Sequence, residues 1–399
     1  MDRPRFVIDS AEAEQMAKQS SQTVLQLLPL LVKSAQTLAR PPISKYHVGA
    51  VGMGSSGRIF FGVNLEFPGL PLNQSVHAEQ FLITNLSLNA EPRLKYLAVS
   101  AAPCGHCRQF LQELRGAPDV KILITSSEDE KENKTNNNCN DKDREFTPLS
   151  HFLPHRFGPD DLLEKDVPLL LEPHRNGLSF CNDLCNDKIS GGDDLKRAAL
   201  EAANMSHAPY SGCPSGVALL DVEGKIYKGS YMESAAYNPS LPPAQAALVA
   251  YVASGGGGGY ERIVGAVLVE KVDAVIKQEH TSRLLLQCIS PKCEFKAHTS
   301  LVGSDNVSEC IITSLLLDPT GLGYDPNFVE FVFRKWDCRG CKCFLEVKGK
   351  RETPAKEEEN LQLLLSNVNL GERPGCREFE VDAKEASNDE QWNTADDTT

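Results

Sequence analysis

The sequence predicts an α/β chain built twice around mixed β-sheets, and three observations carry that reading. The first half reads as hairpin, helix, strand, helix, strand, an order that gives a mixed sheet with helices packed on it. The second half repeats the framework of the hairpin. A shift of 167 places Gly57 on Gly224, Gly62 on Gly229 and Glu66 on Glu233. Finally, 399 residues suffice for two domains with appendages, and 41% hydrophobic with 24% charged residues is ordinary for a globular protein.

Each element has a local cause. Asp9 precedes Ser10-Ala11-Glu12 as a helix cap, and Val24, Leu27, Leu28 and Leu31 then recur at helical spacing up to Arg40, giving one packing helix or two. After Pro41-Pro42, Tyr46 to Val51 reads as a strand, paired across the Gly54 to Gly57 turn with Arg58 to Val63. Ser75 is a cap for a helix from Val76 to about Leu88. A strand from Tyr96 to Val99 follows, then a helix entered at Pro103 and running from Cys104 to Leu114, then a strand from Val120 to Thr125. Residues 126–145 are Asn-rich and charged, too poor in apolar surface to order themselves, and read as a flexible insertion. Apolar residues return from Pro148 to Leu171 in a linker expected to cross the first domain. These features divide the chain into a helical segment 1–40, a first domain 41–147, a linker 148–190, a second copy 191–298 and an extension 299–399.

A net charge of −13 argues against a surface built to neutralise phosphates, so a small molecule suits this chain better than a polynucleotide. No stretch reaches the roughly 18 apolar residues of a membrane span, and the polar start after Met1 does not read as a secretory signal. An intracellular, cytoplasmic setting is expected. The thirteen cysteines form no compact disulfide framework, which favours reduced thiols.

The chemistry is concentrated in His77-Ala78-Glu79 and Pro103-Cys104-Gly105-His106-Cys107. One imidazole and two thiols can hold a borderline-soft metal and leave a fourth tetrahedral position open, as catalytic zinc requires. Glu79, two residues beyond His77, suits a carboxyl group that is not a ligand but moves protons beside the metal. A Cys-x-x-Cys pair alone would serve equally as a redox pair or a structural zinc site; its conjunction with His-Ala-Glu is what points to a catalytic metal. At a shift of 166 the place of His77-Ala78-Glu79 is taken by Pro243-Ala244-Gln245, so the second copy keeps the shape without the ligands. The tail offers Cys338, Cys341, Cys343 and Cys376, with no second ligand pair at typical spacing and no nearby histidine. A poorly ordered extension is expected there, a closed tail zinc site being the alternative.

The H-x-E and P-C-x-x-C pair is the signature of zinc deaminases of nucleobases. From about Asp9 to His298 the chain resembles the two-domain, homodimeric cytidine deaminases of bacterial and plant type. The resemblance is carried by Gly62 to Phe67, Val76 to Gln80, Pro103 to Phe110, Phe157-Gly158-Pro159 and Asn238 to Pro243. It implies a duplicated three-layer deaminase fold with a degenerate second copy, and one zinc per chain bound by His77, Cys104 and Cys107, with Glu79 as the proton carrier. It further implies Asn64 and Glu66 on the ribose 3′-hydroxyl, Tyr46 against the pyrimidine, and Ala236 and Tyr237 closing the partner subunit's site. The activity so implied is deamination of cytidine and 2′-deoxycytidine in pyrimidine salvage. The alternatives are a deaminase of cytosine within RNA or DNA and a non-catalytic binding subunit.

Overall fold

The computed structural model describes residues 5–125, 145–180, 194–255 and 258–302, with backbone alone at 312–313, 330–336 and 342–348. The chain divides into two units, 1–302 and 303–399. In the first unit the leading half comprises β1 (Val7–Ile8), α1 (Ser10–Gln19), α2 (Val24–Thr37), β2 (Gly49–Gly54), β3 (Ile59–Val63), α3 (Ala78–Leu88), β4 (Leu94–Val99), α4 (Gly105–Phe110), β5 (Lys121–Ile124) and β6 (Thr147–Pro148). Two short helices follow, α5 (Leu149–Phe152) and α6 (Pro159–Leu162). The trailing half comprises β7 (Leu178–Ser179), α7 (Asp194–Asn204), β8 (Ser215–Asp221), β9 (Ile226–Ser230), α8 (Pro243–Ala253), β10 (Ile263–Lys271), α9 (Glu279–Ile289) and β11 (Glu294–Val302).

Two mixed sheets result. The first runs β1-β3-β2-β4-β5-β6 and the second β7-β11-β10-β8-β9. Apart from β1, the second is the first read from its other edge: a hairpin at one end, then a parallel pair, β4 with β5 and β10 with β11, and a short antiparallel strand outside it. Gly57 and Gly224 occupy the same hairpin turn with φ of 83° and 81°, a conformation that only glycine adopts without strain.

Helix α3 is buried from Ala78 to Leu86, and α8 from Pro243 to Val252. Helix α8 is apolar on nearly every face, as such enclosure requires, whereas α3 also buries Glu79, Gln80, Thr84 and Asn85. Each is seated on its hairpin by a glycine. A Cβ on Gly62 would lie 2.2 Å from the Ala78 carbonyl oxygen, and one on Gly229 would lie 2.0 Å from the Ala247 nitrogen and 2.4 Å from the Pro243 oxygen. These contacts fix the register between the copies. Helix α8 starts at Pro243 where α3 starts at Ala78, so Pro242 rather than Pro243 stands at the position of His77, and Ala244 rather than Gln245 at that of Glu79. The connection from hairpin to helix is two residues shorter in the second copy, which a single shift along the sequence cannot show.

Other boundaries move for similar reasons. The N-terminal segment forms two helices, the second capped by Thr23 reciprocally with Gln26. The strand expected from Tyr46 begins at Gly49, because the Asn64 side chain takes the Val48 amide at 2.9 Å. Helix α3 begins after His77 rather than at Val76, because Val76 and Leu65 exchange both backbone hydrogen bonds. The helix entered at Pro103 is α4 with Cys104 as its cap, tightening into a 3₁₀ turn at Leu111–Glu113. Strand β11 continues past His298 to Val302.

In the second unit the described backbone forms an antiparallel three-stranded sheet, β12 (Ile312–Thr313), β13 (Glu330–Trp336) and β14 (Lys342–Lys348), in that order. Residues 126–144 of the expected insertion, residues 181–190 of the linker, and Cys338, Cys341 and Cys376 lie outside the described residues. Of Cys343 the backbone alone is described, within β14.

Candidate active site

Two helix starts meet to form the site. The chain reaches α3 extended through Val76, and His77 is its N-cap residue. Cys104 caps α4, which places Cys107 one turn in, beside His77 and Glu79. The donor atoms form a triangle: His77 Nδ1 to Cys104 Sγ is 3.5 Å, His77 Nδ1 to Cys107 Sγ is 3.3 Å, and the two sulfurs are 3.7 Å apart. A tetrahedral ion with Zn–S of about 2.3 Å and Zn–N of about 2.05 Å would need edges of roughly 3.6 Å between nitrogen and sulfur and roughly 3.8 Å between sulfurs. The residues therefore fit a zinc ion in both chemistry and spacing. Among the described residues this is the one group of three such side chains close enough to share an ion. Cys107 is buried, His77 partly buried and Cys104 exposed, so the cradle opens to solvent on the Cys104 side.

Glu79 lies in the first turn of α3, buried, with its Oε2 accepting from Cys107 Sγ at 3.2 Å. Burial pushes its carboxyl up. The Cys104 thiol goes the other way, held at about 3 chiefly by its hydrogen bonds with Cys107 and His77. A sulfur so readily deprotonated suits a metal ligand.

Asn64, Glu66 and Tyr46 form a second, hydrogen-bonded group. Glu66 accepts from the amides of Ile43 at 2.9 Å and Ser44 at 2.8 Å, and from the Ser44 hydroxyl. Asn64 accepts from the Val48 amide and donates to the Tyr46 carbonyl, each at 2.9 Å. Both side chains keep capacity: an ionised carboxylate offers about four lone-pair sites, and an amide one further acceptor and donor position. The Tyr46 ring is exposed. Ala236 and Tyr237 belong to the second copy, on the loop between β9 and α8. Tyr237 stands out from that loop, exposed, with a φ of 60°.

The second copy repeats the carboxyl turn. Glu233 accepts from the amides of Tyr210 and Ser211 and from the Ser211 hydroxyl. It does not repeat the rest, since Tyr231 stands at the position of Asn64, Cys213 at that of Tyr46, and Pro242 at that of His77.

Three residues of the site had no role assigned from sequence. Gln80, buried, accepts from the His77 amide and donates to His106 and to the Pro239 carbonyl. The His106 ring stacks on that of His77, with centroids 5.1 Å apart and planes 22° from parallel. Glu113, fully buried at the end of the cysteine-bearing segment, accepts from Tyr210 Oη at 2.6 Å and the Ala235 amide at 2.8 Å, with His207 Nε2 at 3.4 Å. Gln80 carries a local signal, standing three residues after a helix cap. Glu113 carries none, because its partners lie about a hundred residues away.

Comparison with known proteins gives one consistent answer. The family described as "Cytidine and deoxycytidylate deaminase zinc-binding region" matches twice, over residues 21–124 and 149–283. The chain is 65% identical over 298 residues to cytidine deaminase 1 of Arabidopsis thaliana, covering 74% of this chain and 98% of that protein. It is 50% identical to cytidine deaminase 6 of the same plant, covering 67% and 90%. It is 39% identical to the cytidine deaminase of Serratia proteamaculans, covering 66% and 78%.

Proposed function

The chain belongs to the cytidine and deoxycytidylate deaminase family, and from that premise we propose that it deaminates cytidine and 2′-deoxycytidine hydrolytically. Water and cytidine give uridine and ammonia. The observation that supports this reading best is the triangle of His77, Cys104 and Cys107, whose edges suit tetrahedral zinc, with buried Glu79 beside it. Those three residues would hold one zinc per chain. When bound, it supplies a Lewis acid that lowers the pKa of water to near neutrality.

The chain's own residues do the rest. Glu79 takes a proton from the attacking water and delivers it to N3 of the pyrimidine, so that no charge accumulates on the ring as C4 becomes tetrahedral. It then moves a second proton to the C4 amino nitrogen, which leaves as ammonia. Asn64 and Glu66 use their remaining hydrogen-bonding positions on the ribose 3′-hydroxyl, and Tyr46 lies against the pyrimidine. A site that reads a free 3′-hydroxyl rejects a nucleotide whose chain continues there.

In this reading the catalytic copy is 41–147 and the degenerate copy 191–298. The enzyme is a homodimer in which Ala236 and Tyr237 close the partner's site, and it serves pyrimidine salvage in the cytoplasm. None of the described helices is long and apolar enough to cross a membrane. The decisive experiment follows the loss of cytosine absorbance in cytidine, cytidine monophosphate and a short cytosine-containing oligonucleotide. Turnover of cytidine alone is expected. Turnover confined to the oligonucleotide, or none with zinc bound, would overturn the reading.

A further inference from the structure

We infer that Gln80 is a positioning residue through which the copy without metal ligands braces the metal cradle of the other. The inference rests on the zinc reading above. The orientation of the Gln80 amide is fixed by two backbone groups: the His77 N–H, 3.2 Å away, requires an oxygen, and the Pro239 carbonyl, 3.0 Å away, requires a nitrogen. Its Nε2 also donates to His106 Nε2 at 3.2 Å, so His106 carries its proton on Nδ1. Both amide hydrogens are thereby used at a site 2% exposed. A buried amide satisfied by three different segments defines the positions of all three.

Those three segments are the zinc cradle and its neighbour. Gln80 holds the main chain of His77 directly and holds the ring of His77 through the stacked imidazole of His106. The third contact reaches the degenerate copy, where Pro239 is buried in a loop tightened by hydrogen bonds from Tyr237 to Ser234, Ser240 to Tyr237, and Ser234 to the Ser240 hydroxyl. The loop is held at its other end by Glu113, through the Ala235 amide, and Glu113 closes the segment that carries Cys104 and Cys107. Both ligand-bearing segments therefore grip one loop of a domain that has no ligands of its own. Groups that orient metal ligands from behind typically account for 10- to 100-fold in metal affinity or activity.

The test uses the zinc-loaded full chain and reads transfer of zinc to a chromogenic chelator beside kcat and KM for cytidine. Gln80→Leu is expected to release zinc about 10- to 100-fold faster and to lower kcat, with KM changed by less than about threefold. Thr84→Val is the control. Thr84 lies one turn further along α3, and its hydroxyl bonds to the Gln80 carbonyl and lies near Met232 Sδ, rather than bonding to His77 or His106. That variant should lose stability with zinc release unchanged. Should Gln80→Leu not fold, His106→Ala, at a partly exposed position, removes the stacked ring and one of the three contacts and is expected to speed release several-fold. A wild-type rate of zinc release from the folded variant, despite a lowered melting temperature, overturns the brace and leaves the zinc reading standing. A wild-type chain that carries no zinc overturns the zinc reading and the brace with it.

Discussion

Glu66 and Glu233 close the same turn with the same three kinds of donor, 167 residues apart, yet one turn lies in the copy with a metal cradle and the other in a copy without one. The turn is therefore a requirement of the scaffold, whatever else Glu66 does. What the first copy adds lies elsewhere: Asn64 where the second has Tyr231, His77 where it has Pro242, and Glu79 where it has Ala244. Duplication separates residues that build the fold from residues that do chemistry, a distinction that one copy would not reveal.

The largest expected effect breaks the comparison at Glu79. Glu79→Gln gives the first copy the second's lack of a proton carrier while leaving the ligands intact. Turnover should fall by about 100-fold or more with zinc content unchanged. Single-turnover rates beside elemental analysis check it, and retention of more than about a tenth of the rate would remove Glu79 from this role. Cys107→Ala should instead lose metal and stability together.

Next come the two seating glycines. Gly62→Ala and Gly229→Ala both drive a methyl into the backbone of an overlying helix, and each should cost about 1–3 kcal/mol or more by denaturant titration. Gly62→Ala should lower kcat per folded molecule more than Gly229→Ala, because the helix it displaces carries Glu79. Equal losses of kcat would mean that the second helix shapes the site as directly as the first.

The carboxyl turns sharpen the comparison further. Glu66→Gln and Glu233→Gln should each destabilise by about 1–3 kcal/mol, while only the former raises KM for cytidine. Asn64→Ala should raise KM about tenfold for cytidine and less for a 3′-deoxy analogue, since one partner of the hydrogen bond then belongs to the ligand. Equal effects on both substrates would take Asn64 out of ribose recognition.

The smallest effect is on acid stability. Burial alone would raise the Glu66 and Glu91 carboxyls; the bonds from Ser44 and Ile43 at Glu66, and from Ser56, Ser55 and Arg58 at Glu91, leave both below their ordinary value. Such groups contribute stability that is complete above the unfolded-state value of about 4.3 and is lost as pH falls through the lower folded values. Urea midpoints between pH 6 and pH 3 should fall, less steeply in Glu66→Gln. An unchanged slope would exclude Glu66 from the acid transition.

Much of this was legible in the sequence because it is local. The hairpin announces itself through Gly54 and Gly57, and the cradle through two short motifs whose residues are helix caps in the structure. What was not legible depends on contacts between distant segments. Ser75 is a good cap by residue type, yet the helix starts two residues later because Leu65 claims the Val76 backbone. Val48 looks like strand, yet its amide belongs to Asn64. A constant spacing misplaces the second helix by one residue, because close packing on Gly229 sets its position.

Glu113 shows how far two halves of common design have ceased to be separable. It belongs to the first half by position, yet its carboxyl oxygens face Tyr210, His207 and Ala235, all in the second. Removing one partner from a buried polar group leaves a desolvated atom with nothing in exchange, at about 1–3 kcal/mol each. A gene cut between the halves would leave Glu113 without these partners on one side and Tyr210 without its acceptor on the other. Tandem copies that arise as interchangeable modules can thus lose their independence through one side chain reaching across the seam.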